Sequence, residues 1–331
     1  MDIIVLDTVV SNILRTKRDT NEMLKRMNRF FGKSFNNITE ISVRNRIIKI
    51  ESYREIVDSL KKLPNIEQRS QEWHDIRKKM ITASDFAQAL GKGKFGTAKD
   101  FYKSKCGYEQ RVFDSNCPPL KWGIRYEEVA NMFYQKKMGV RMTEFGIIQH
   151  PSISFIGASP DGVSDLGIML EIKCPYKRKK TETIPEQYYY QIQGQLEVCN
   201  LEECDYLECY IIEYSNRLSM ISDDTIFYKG VVYETESGVF EYGSLNDTEH
   251  EIKIFCKVYY YGIKDYFLRR VLRDKEFFNE ALTQLVDVWK NVETYRLDKG
   301  KYDTATKSSI RKKIAKEPKV PCLFRDDIID D

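Results

Sequence analysis

Three charged residues with the spacing of a catalytic set lie in one short segment that is otherwise rich in strand-forming residues. The segment, residues 159–175, reads SPDGVSDLGIMLEIKCP and contains Asp161, then Glu171 ten positions later, then Lys173 two positions further. Charged side chains are rarely buried in apolar surroundings unless they are paired or functional. Two carboxylates and an ammonium group are suited to metal-assisted hydrolysis of a phosphate ester.

The spacing of these residues predicts a β-hairpin that brings the two carboxylates together. The sequence SDLG between two strand-like runs is a turn signal, and Gly167 suits a left-handed turn position. With a three-residue loop ending at this glycine, Asp161 faces Glu171 across the hairpin, with Cβ atoms about 4.5–5.5 Å apart. The two-residue period of a strand places Lys173 on the same face as Glu171. We therefore expect the two acids and the lysine to share one surface.

Two chemical interpretations of this surface are open. Two carboxylates so close together repel, and one then takes up a proton unless a divalent cation lies between them. Water activated by such a cation beside Lys173 is a candidate nucleophile for a phosphodiester. The alternative is an exposed hairpin whose acids simply pair with Lys173 and its basic neighbours.

The composition restricts the kind of metal site and the class of protein. The eight cysteines are scattered without a CxxC pair, and there are only three histidines and no HExxH motif. A zinc site or a disulfide framework is therefore not expected, and carboxylate ligands favour a hard ion such as Mg²⁺ or Mn²⁺. No segment approaches the roughly 20 apolar residues of a membrane helix, and the first residues lack the features of a signal peptide. We expect an intracellular protein that is not secreted and has no membrane partner.

Positive charge is distributed unevenly, although the formal net charge is only +3. Residues 1–50 carry ten Lys or Arg against five Asp or Glu, and residues 301–319 carry seven against two. The run KCPYKRKK continues directly from Lys173, so Lys177 and Arg178 are candidate contacts to a DNA backbone. Such clusters suit phosphate binding, but basic clusters are also often only solvated surface.

The remaining patterns predict alternating helices and strands. The predicted helices are 1–63, a short helix after Ser70, 82–91, 122–139 and 185–199; the predicted strands are 140–149, 155–164, 167–174 and 205–214. This order predicts an α/β (α+β) fold with a central mixed β-sheet flanked by helices. The predicted division of the chain is a basic helical N-terminal region (1–66), a main domain (67–296) and a basic C-terminal tail (297–331). Within the main domain we expect a motif core (68–214), a β elaboration (220–262) and a long helix (264–296).

Four blocks of the sequence resemble the phage lambda exonuclease, or YqaJ viral recombinase, family of PD-(D/E)XK nucleases. The blocks are QRSQEWHDIRKKMITASDF (68–86), WGIRYEEVA (122–130), ASPDG…LEIKCP (158–175) and YYYQIQGQL (188–196). Together they extend over residues 68 to about 214, nearly half of the chain. The resemblance implies a restriction-endonuclease-like core and a nuclease that uses Mg²⁺ or Mn²⁺, with two ions in the site.

The resemblance also implies roles for individual residues of the reaction centre. Asp161 and Glu171 match metal ligands, and the backbone carbonyl of Ile172 matches a further ligand. Lys173 matches the catalytic lysine. Glu127 matches the helix carboxylate that holds or orients the second metal ion or its water, although on sequence pattern alone it could be an ordinary surface residue.

A second set of matches concerns the DNA. Arg77 matches the arginine that grips a 5′-terminal phosphate, and Ser84 matches the hydroxyl group of the same pocket. Ser159 and Gln191 match polar residues that line the active site. From the residues alone, Arg77 could be an exposed helix charge and Ser84 a helix cap. Gln191 shares one face of its helix with Gln195, and this face could meet the scissile strand or be solvated.

By resemblance, we expect a 5′-to-3′ exonuclease that degrades one strand of double-stranded DNA from its ends, in viral DNA recombination or repair. A single-strand annealing protein is a possible partner, a homo-oligomer (a trimer by family resemblance) is possible, and the host cytoplasm or nucleus is the expected location if the protein is viral. One alternative is an endonuclease, or an RNA-degrading relative similar to the alkaline and shutoff nucleases of herpesviruses. The other is a non-catalytic nucleic-acid-binding module, which the intact acid–acid–lysine set disfavours.

Overall fold

The computed structural model describes residues 2–16, 22, 39–108, 117–243 and 257–314, with side chains as far as residue 306. The helices are α1 (Ile3–Thr16), α2 (Glu40–Leu60), α3 (Gln71–Lys78), α4 (Phe86–Ala89), α5 (Ala98–Cys106), α6 (Pro118–Met138), α7 (Glu186–Cys199), α8 (Arg217–Ile221), α9 (Lys275–Leu297) and α10 (Lys299–Ile314). The strands are β1 (Ile81–Thr82), β2 (Met142–Thr143), β3 (Ile148–Gln149), β4 (Ile156–Ala158), β5 (Gly162–Ser164), β6 (Met169–Lys173), β7 (Glu203–Tyr214), β8 (Tyr228–Glu234), β9 (Phe240–Gly243) and β10 (Lys257–Leu272). Within these ranges, no helix has the length and apolar character that crossing a bilayer requires.

A mixed sheet forms the centre of the protein. Among the described residues, seven strands follow the order β2-β5-β6-β7-β10-β8-β9, and β1, β4 and β3 form a smaller sheet. Strand β6 runs parallel to β7, whereas its other neighbour, β5, is antiparallel to it. The strand that carries Glu171 and Lys173 is thus internal to the large sheet. The predicted α/β architecture, a central mixed sheet flanked by helices, is confirmed.

Helices cover both faces of the large sheet because both faces of β6 and β7 are apolar. On one face, Leu170 and Ile172 pack in a buried cluster with residues of α1, α2 and α6. On the other face, Met169 and Tyr206 pack in a second cluster with residues of α4, α5, α7 and α9. An internal strand covered on both faces is a rigid support, so the side chains that it carries are held in fixed positions.

Most predicted elements are present, but the long helix predicted at 264–296 is wrong in its first part. Strand β10 continues to Leu272, and the helix begins only after Asp274, whose side chain accepts a hydrogen bond from the Phe277 backbone N–H at 3.0 Å. The segment DYFLRRVL pairs with β7 along its whole length, and this pairing outweighs its helix-like spacing of apolar residues. The strands predicted between 140 and 174 are broken into the short strands β2 to β6.

Some of the predicted regions lie partly outside the described residues. This applies to 17–21 and 23–38 of the N-terminal helical region, to 244–256 of the β elaboration, and to 315–331 of the basic tail. Elsewhere in the N-terminal region α1 and α2 are helical as predicted. The division of the chain into three regions stays a prediction.

Five buried charged residues tie the N-terminal helices to the sheet, and we call them the buried ion network. The network consists of Asp7 (α1), Arg46 (α2), Glu203 and Asp205 (β7) and Arg270 (β10), and none of these side chains is more than 5% exposed. Arg46 bonds Asp7 at 2.5 Å and Glu203 at 2.5 Å, and Arg270 bonds Asp7 and Asp205, each at 2.7 Å, as well as Glu203. Each carboxylate is therefore shared or matched by a guanidinium, as buried charges require.

Candidate active site

The hairpin predicted from the spacing of Asp161 and Glu171 is present in the predicted register. Gly162 pairs with Leu170 and Val163 pairs with Met169, so the next position places Asp161 opposite Glu171. Gly167 has φ 75° in the turn, the left-handed conformation that favours glycine. Beyond the paired residues, one Asp161 oxygen accepts a hydrogen bond from the Ile172 backbone N–H at 2.7 Å, which fixes the aspartate beside β6.

Glu171 lies at the bottom of the site, and its side chain is entirely buried. One carboxylate oxygen contacts the Lys173 ammonium group, and the other accepts a hydrogen bond from Gln195 Nε2 at 2.8 Å. Lys173 in turn lies 5.0 Å from the centre of the Tyr188 ring. The structure thus brings Asp161, Glu171 and Lys173 together, as the sequence predicts.

Glu127 approaches the same site from helix α6. Its two carboxylate oxygens accept hydrogen bonds from Arg69 Nη2 at 3.0 and 2.9 Å. Arg69 has φ 68°, an uncommon backbone conformation for a residue other than glycine. A cavity of about 450 Å³ opens here, and its lining includes Arg69, Glu127, Asp161 and Ile172. Glu127 therefore faces the reaction centre instead of being a plain surface residue.

The acidic groups of this cavity perturb one another. Burial raises the pKa of Asp161 well above its usual value, and the negative charges of Glu171 and Glu127 raise it further. Burial also raises the pKa of Glu127, while Arg69 and Lys173 oppose that shift. Burial disfavours the charged form of Lys173, but Glu171 and Asp161 outweigh this effect and raise the pKa of the ammonium group. Without a further cation, the site keeps Lys173 charged and favours a proton on Asp161.

These observations test whether the site suits a divalent metal ion. Within the described ranges, no three Asp, Glu, His or Cys side chains are gathered around one point where they could hold a metal ion. The positive charges near the acids are instead those of Lys173 and Arg69. The donor set nevertheless fits a hard divalent cation, since carboxylates and a backbone carbonyl are its preferred ligands. The raised pKa of Asp161 is the sign of negative charge that such a cation would offset.

Arg77 and Ser84 meet at a second polar site, as expected for one pocket. Arg77 Nη2 donates a hydrogen bond to Ser84 Oγ at 2.9 Å, and the guanidinium stacks over the Trp73 ring at 4.3 Å. Ser84 lies in the short 3₁₀ turn between β1 and α4. Gly194 of α7 allows this segment to approach closely, because a Cβ atom there would lie 2.6 Å from the ring of Phe86.

A chain of contacts connects this second site to the carboxylates. Trp73, which stacks on Arg77, donates its indole N–H to Ser159 Oγ at 3.1 Å. The backbone carbonyl of Ser159 lies 3.4 Å from Gln195 Nε2, which also bonds Glu171. Ser159 therefore lies between the two sites, and its place in the lining of an active site stays a prediction.

Gln195 is the residue of this region that the sequence interpretation undervalued. It is 1% exposed and contacts Glu171 directly, whereas Gln191, the glutamine singled out by resemblance, is half-buried one helical turn earlier. The shared helix face of Gln191 and Gln195 was the available signal, because residues four apart on a helix lie on one face. The involvement of Arg69 with Glu127 carried no sequence signal, since it depends on a left-handed backbone position.

The run after Lys173 is held against the sheet. Arg178 forms an ion pair with the buried Glu208 of β7, and Lys180 contacts Asp265 at 2.8 Å. Lys177 is exposed and lies 5.1 Å from the centre of the Tyr176 ring. Arg178 thus has a structural partner among the described residues, and the roles of Lys177 and Arg178 in DNA binding stay predictions.

Comparisons with known proteins bear on the identity of this site. A family model described as a YqaJ-like viral recombinase domain matches residues 72–202. An uncharacterised protein of Acanthamoeba polyphaga mimivirus is 30% identical over 193 residues, which cover 53% of this chain but only 35% of that relative. The chain therefore matches about a third of the length of this viral protein.

Solved structures of two exonucleases are also similar to the chain. The alkaline exonuclease LHK-Exo of Laribacter hongkongensis is 19% identical and aligns over 73% of this chain and 99% of its own, with a TM-score of 0.45. A phage-related exonuclease of Haemophilus somnus is 12% identical and aligns over 71% and 99%, with a TM-score of 0.41. The matched residues 72–202 contain Arg77, Glu127 and the whole Asp161–Lys173 hairpin, so the part of the chain that carries the candidate site is similar to a YqaJ-like viral recombinase domain.

Proposed function

We propose that the protein is a metal-dependent deoxyribonuclease that degrades one strand of duplex DNA from its 5′ end. The observation that carries this proposal is the contact chain from Arg77 through Trp73, Ser159 and Gln195 to Glu171. The arginine of helix α3 and the carboxylate–lysine centre of strand β6 are thereby joined by one continuous series of contacts. Such an arrangement suits an enzyme that anchors a chain end and cuts the bond near it.

The metal ions would be held by Asp161, Glu171, the Ile172 carbonyl and Glu127, and the family resemblance implies two Mg²⁺ or Mn²⁺ ions. When bound, such an ion polarises the phosphodiester and lowers the pKa of the attacking water. Gln195 fixes one oxygen of Glu171, and the Ile172 N–H fixes one oxygen of Asp161. Both carboxylates are thereby oriented before any ion arrives, which limits the reorganisation that binding requires.

Lys173 supplies the positive charge that the protein itself contributes to the reaction. Its ammonium group stays protonated at neutral pH because Glu171 and Asp161 raise its pKa. An ammonium at this position can donate hydrogen bonds to the attacking water or to a non-bridging phosphate oxygen. Products with 5′ phosphates follow if water attacks phosphorus and the 3′ oxygen leaves, and each product end could then occupy the pocket of Arg77.

The biological setting that we propose is viral DNA recombination or repair, at double-stranded DNA ends and together with a single-strand annealing protein. The mimivirus relative supports a viral setting. Assembly into a homo-oligomer is part of the same proposal, and an intracellular location, in the host cytoplasm or nucleus, follows from the substrate.

The decisive experiment uses one linear duplex, labelled at the 5′ end or at the 3′ end of the same strand, and the same sequence as a covalently closed circle. In Mg²⁺ we expect early release of the 5′ label as mononucleotide, late release of the 3′ label, and an intact circle. No digestion is expected in EDTA. Cleavage of the circle would instead support the endonuclease alternative, and a gel shift without any cleavage in Mg²⁺ would support the non-catalytic binding module.

Arg77→Met should reduce the preference for phosphorylated 5′ ends. A charge-assisted hydrogen bond to phosphate contributes about 1.5–3 kcal/mol, so the ratio of kcat/KM on 5′-phosphoryl to 5′-hydroxyl duplexes should fall about 10- to 100-fold. Lys79→Met is the matched control, because it removes an exposed cation two residues away. An unchanged ratio in Arg77→Met would remove this arginine from the phosphate pocket.

A further inference from the structure

A buried ion pair lies directly behind the Arg77–Ser84 pocket. Lys105 of α5 contacts Asp85 at 2.7 Å, and its side chain is only 8% exposed. The same ammonium group donates a second hydrogen bond, to the backbone carbonyl of Arg77 at 2.8 Å. Lys105 therefore lies beneath the main chain of the arginine proposed to hold the 5′-terminal phosphate, and it is too buried to be an ordinary surface contact for DNA.

Asp85 is the carboxylate that offsets positive charge near this pocket. Its Oδ2 atom accepts hydrogen bonds from the Thr82 backbone N–H at 3.0 Å and from the Thr82 hydroxyl at 2.6 Å, in addition to the bond from Lys105. Burial disfavours the charged form of Asp85, but Lys105 and Arg77 outweigh this effect and lower its pKa to about 2. Asp85 is thus ionised at neutral pH and interacts with both cations.

Asp85 nonetheless forms its direct ion pair with Lys105 and not with Arg77. Among the described residues, the Arg77 side chain bonds the neutral Ser84 and stacks on the neutral Trp73. A guanidinium has five N–H donors, so most of those of Arg77 are left for another acceptor. A third cation, Arg296 of α9, caps the carbonyls of Lys78 and Lys105 at 2.7 and 3.0 Å. Lys105 thus feels the positive charges of both Arg77 and Arg296, while Asp85 interacts with Lys105 and Arg77, and this excess of positive charge suits an anion.

We propose that Lys105 determines the specificity of the pocket for a terminal phosphate, by occupying Asp85 so that Arg77 stays available to the DNA end. This inference rests on the proposed function, because it concerns the 5′-phosphate pocket of that activity. Without Lys105, the buried Asp85 would take Arg77 as its counter-ion and compete with the phosphate. Lys105 is a positioning residue in this scheme and does not touch the DNA.

The test compares Lys105→Met, Asp85→Asn and the double variant with the wild type. The measured quantity is the ratio of kcat/KM on 5′-phosphoryl to 5′-hydroxyl duplexes, supported by the ratio of Kd values measured with Ca²⁺ in place of Mg²⁺. We expect the ratio to fall about tenfold or more in Lys105→Met, because an internal ion pair then competes with the phosphate. In the double variant the competing carboxylate is gone, so the ratio should return to within about threefold of the wild type. Lys99→Met, which removes a lysine from the same helix, is the control.

The outcomes separate this inference from its alternatives. A purely structural role predicts equal losses of kcat/KM on both kinds of end and therefore an unchanged ratio in Lys105→Met, which overturns the proposal. If Lys105→Met does not fold, the double variant is compared with Asp85→Asn, whose amide oxygen can still accept from Thr82. A further fall of the ratio in the double variant would then make Lys105 a direct phosphate ligand and overturn the proposal. If the wild-type protein shows no preference for 5′-phosphoryl ends, the proposed 5′ anchor itself is refuted. If every variant keeps the wild-type preference, only the role of Lys105 is refuted.

Discussion

Asp161→Asn is expected to give a protein that still binds duplex DNA, no longer cleaves it, and is more stable than the wild type in the absence of divalent cations. The amide keeps an oxygen that can accept the Ile172 N–H, so the hairpin is preserved. It removes a metal ligand and one negative charge, and a loss of several kcal/mol of transition-state stabilisation lowers the cleavage rate by at least about 10³-fold.

The gain in stability follows from the direction of the Asp161 pKa shift. Burial, Glu171 and Glu127 raise the pKa of Asp161 in the folded protein above its unfolded value of about 3.9. At pH values between these two pKa values, the folded state binds more protons than the unfolded state. The contribution of Asp161 to stability is present below about pH 4 and is lost as the pH rises through the folded pKa. At neutral pH the neutral asparagine avoids this loss.

Thermal unfolding in EDTA at several pH values measures the effect. The difference in Tm between Asp161→Asn and the wild type should grow as the pH rises from 4, and Mg²⁺ should raise the Tm of the wild type only. Asp165→Asn is the matched control, because Asp165 lies in the turn of the same hairpin and is exposed. Cleavage by Asp161→Asn within a few-fold of the wild type would contradict the assignment of this aspartate.

Arg270→Met should cause the largest loss of stability of any single change considered, without touching the reaction centre. Arg270 is buried, and it is the residue that joins Asp7, Glu203 and Asp205. Its removal leaves the carboxylates, within the described part of the chain, with Arg46 and the partly exposed Lys49 as their remaining cationic partners. Removal of one partner from a buried ion pair costs about 3–5 kcal/mol, since the remaining charge is uncompensated.

Urea unfolding gives the free energy of unfolding for this comparison. Arg269→Met is the control, because Arg269 is the exposed neighbour on β10, and its effect should stay within about 0.5 kcal/mol. A loss below about 1 kcal/mol in Arg270→Met would show that the acids of the network find other partners or water.

The geometry of the hairpin could be predicted because local rules determine it. A strand has a side-chain period of two residues, and Gly167 in a left-handed turn fixes which residues pair. Once the turn is known, the relation between Asp161 and Glu171 follows without knowledge of the rest of the fold. The same reasoning places Lys173 beside Glu171, where the structure has it.

The errors and omissions arose where distant parts of the chain decide the outcome. The segment before Leu272 has helix-like spacing, but twelve residues of β7 pair with it and make it a strand. The buried ion network joins Asp7 to Arg270, 263 positions apart, and no sequence pattern links such residues. Gln191 and Gln195 share one face of α7, so the choice between them depends on which turn of that helix lies beside Glu171, and no local pattern determines this.

The central place of β6 has a practical consequence for recombinant work on this protein. The stretch that matches the family ends at residue 202, and β7, which pairs with Met169–Lys173, begins at Glu203. A fragment trimmed to that stretch would expose the edge of β6 and its apolar faces, which invites aggregation. Expression boundaries should therefore follow the packed core, from α1 to the end of α9, so that an inactive truncated fragment is not mistaken for an inactive enzyme.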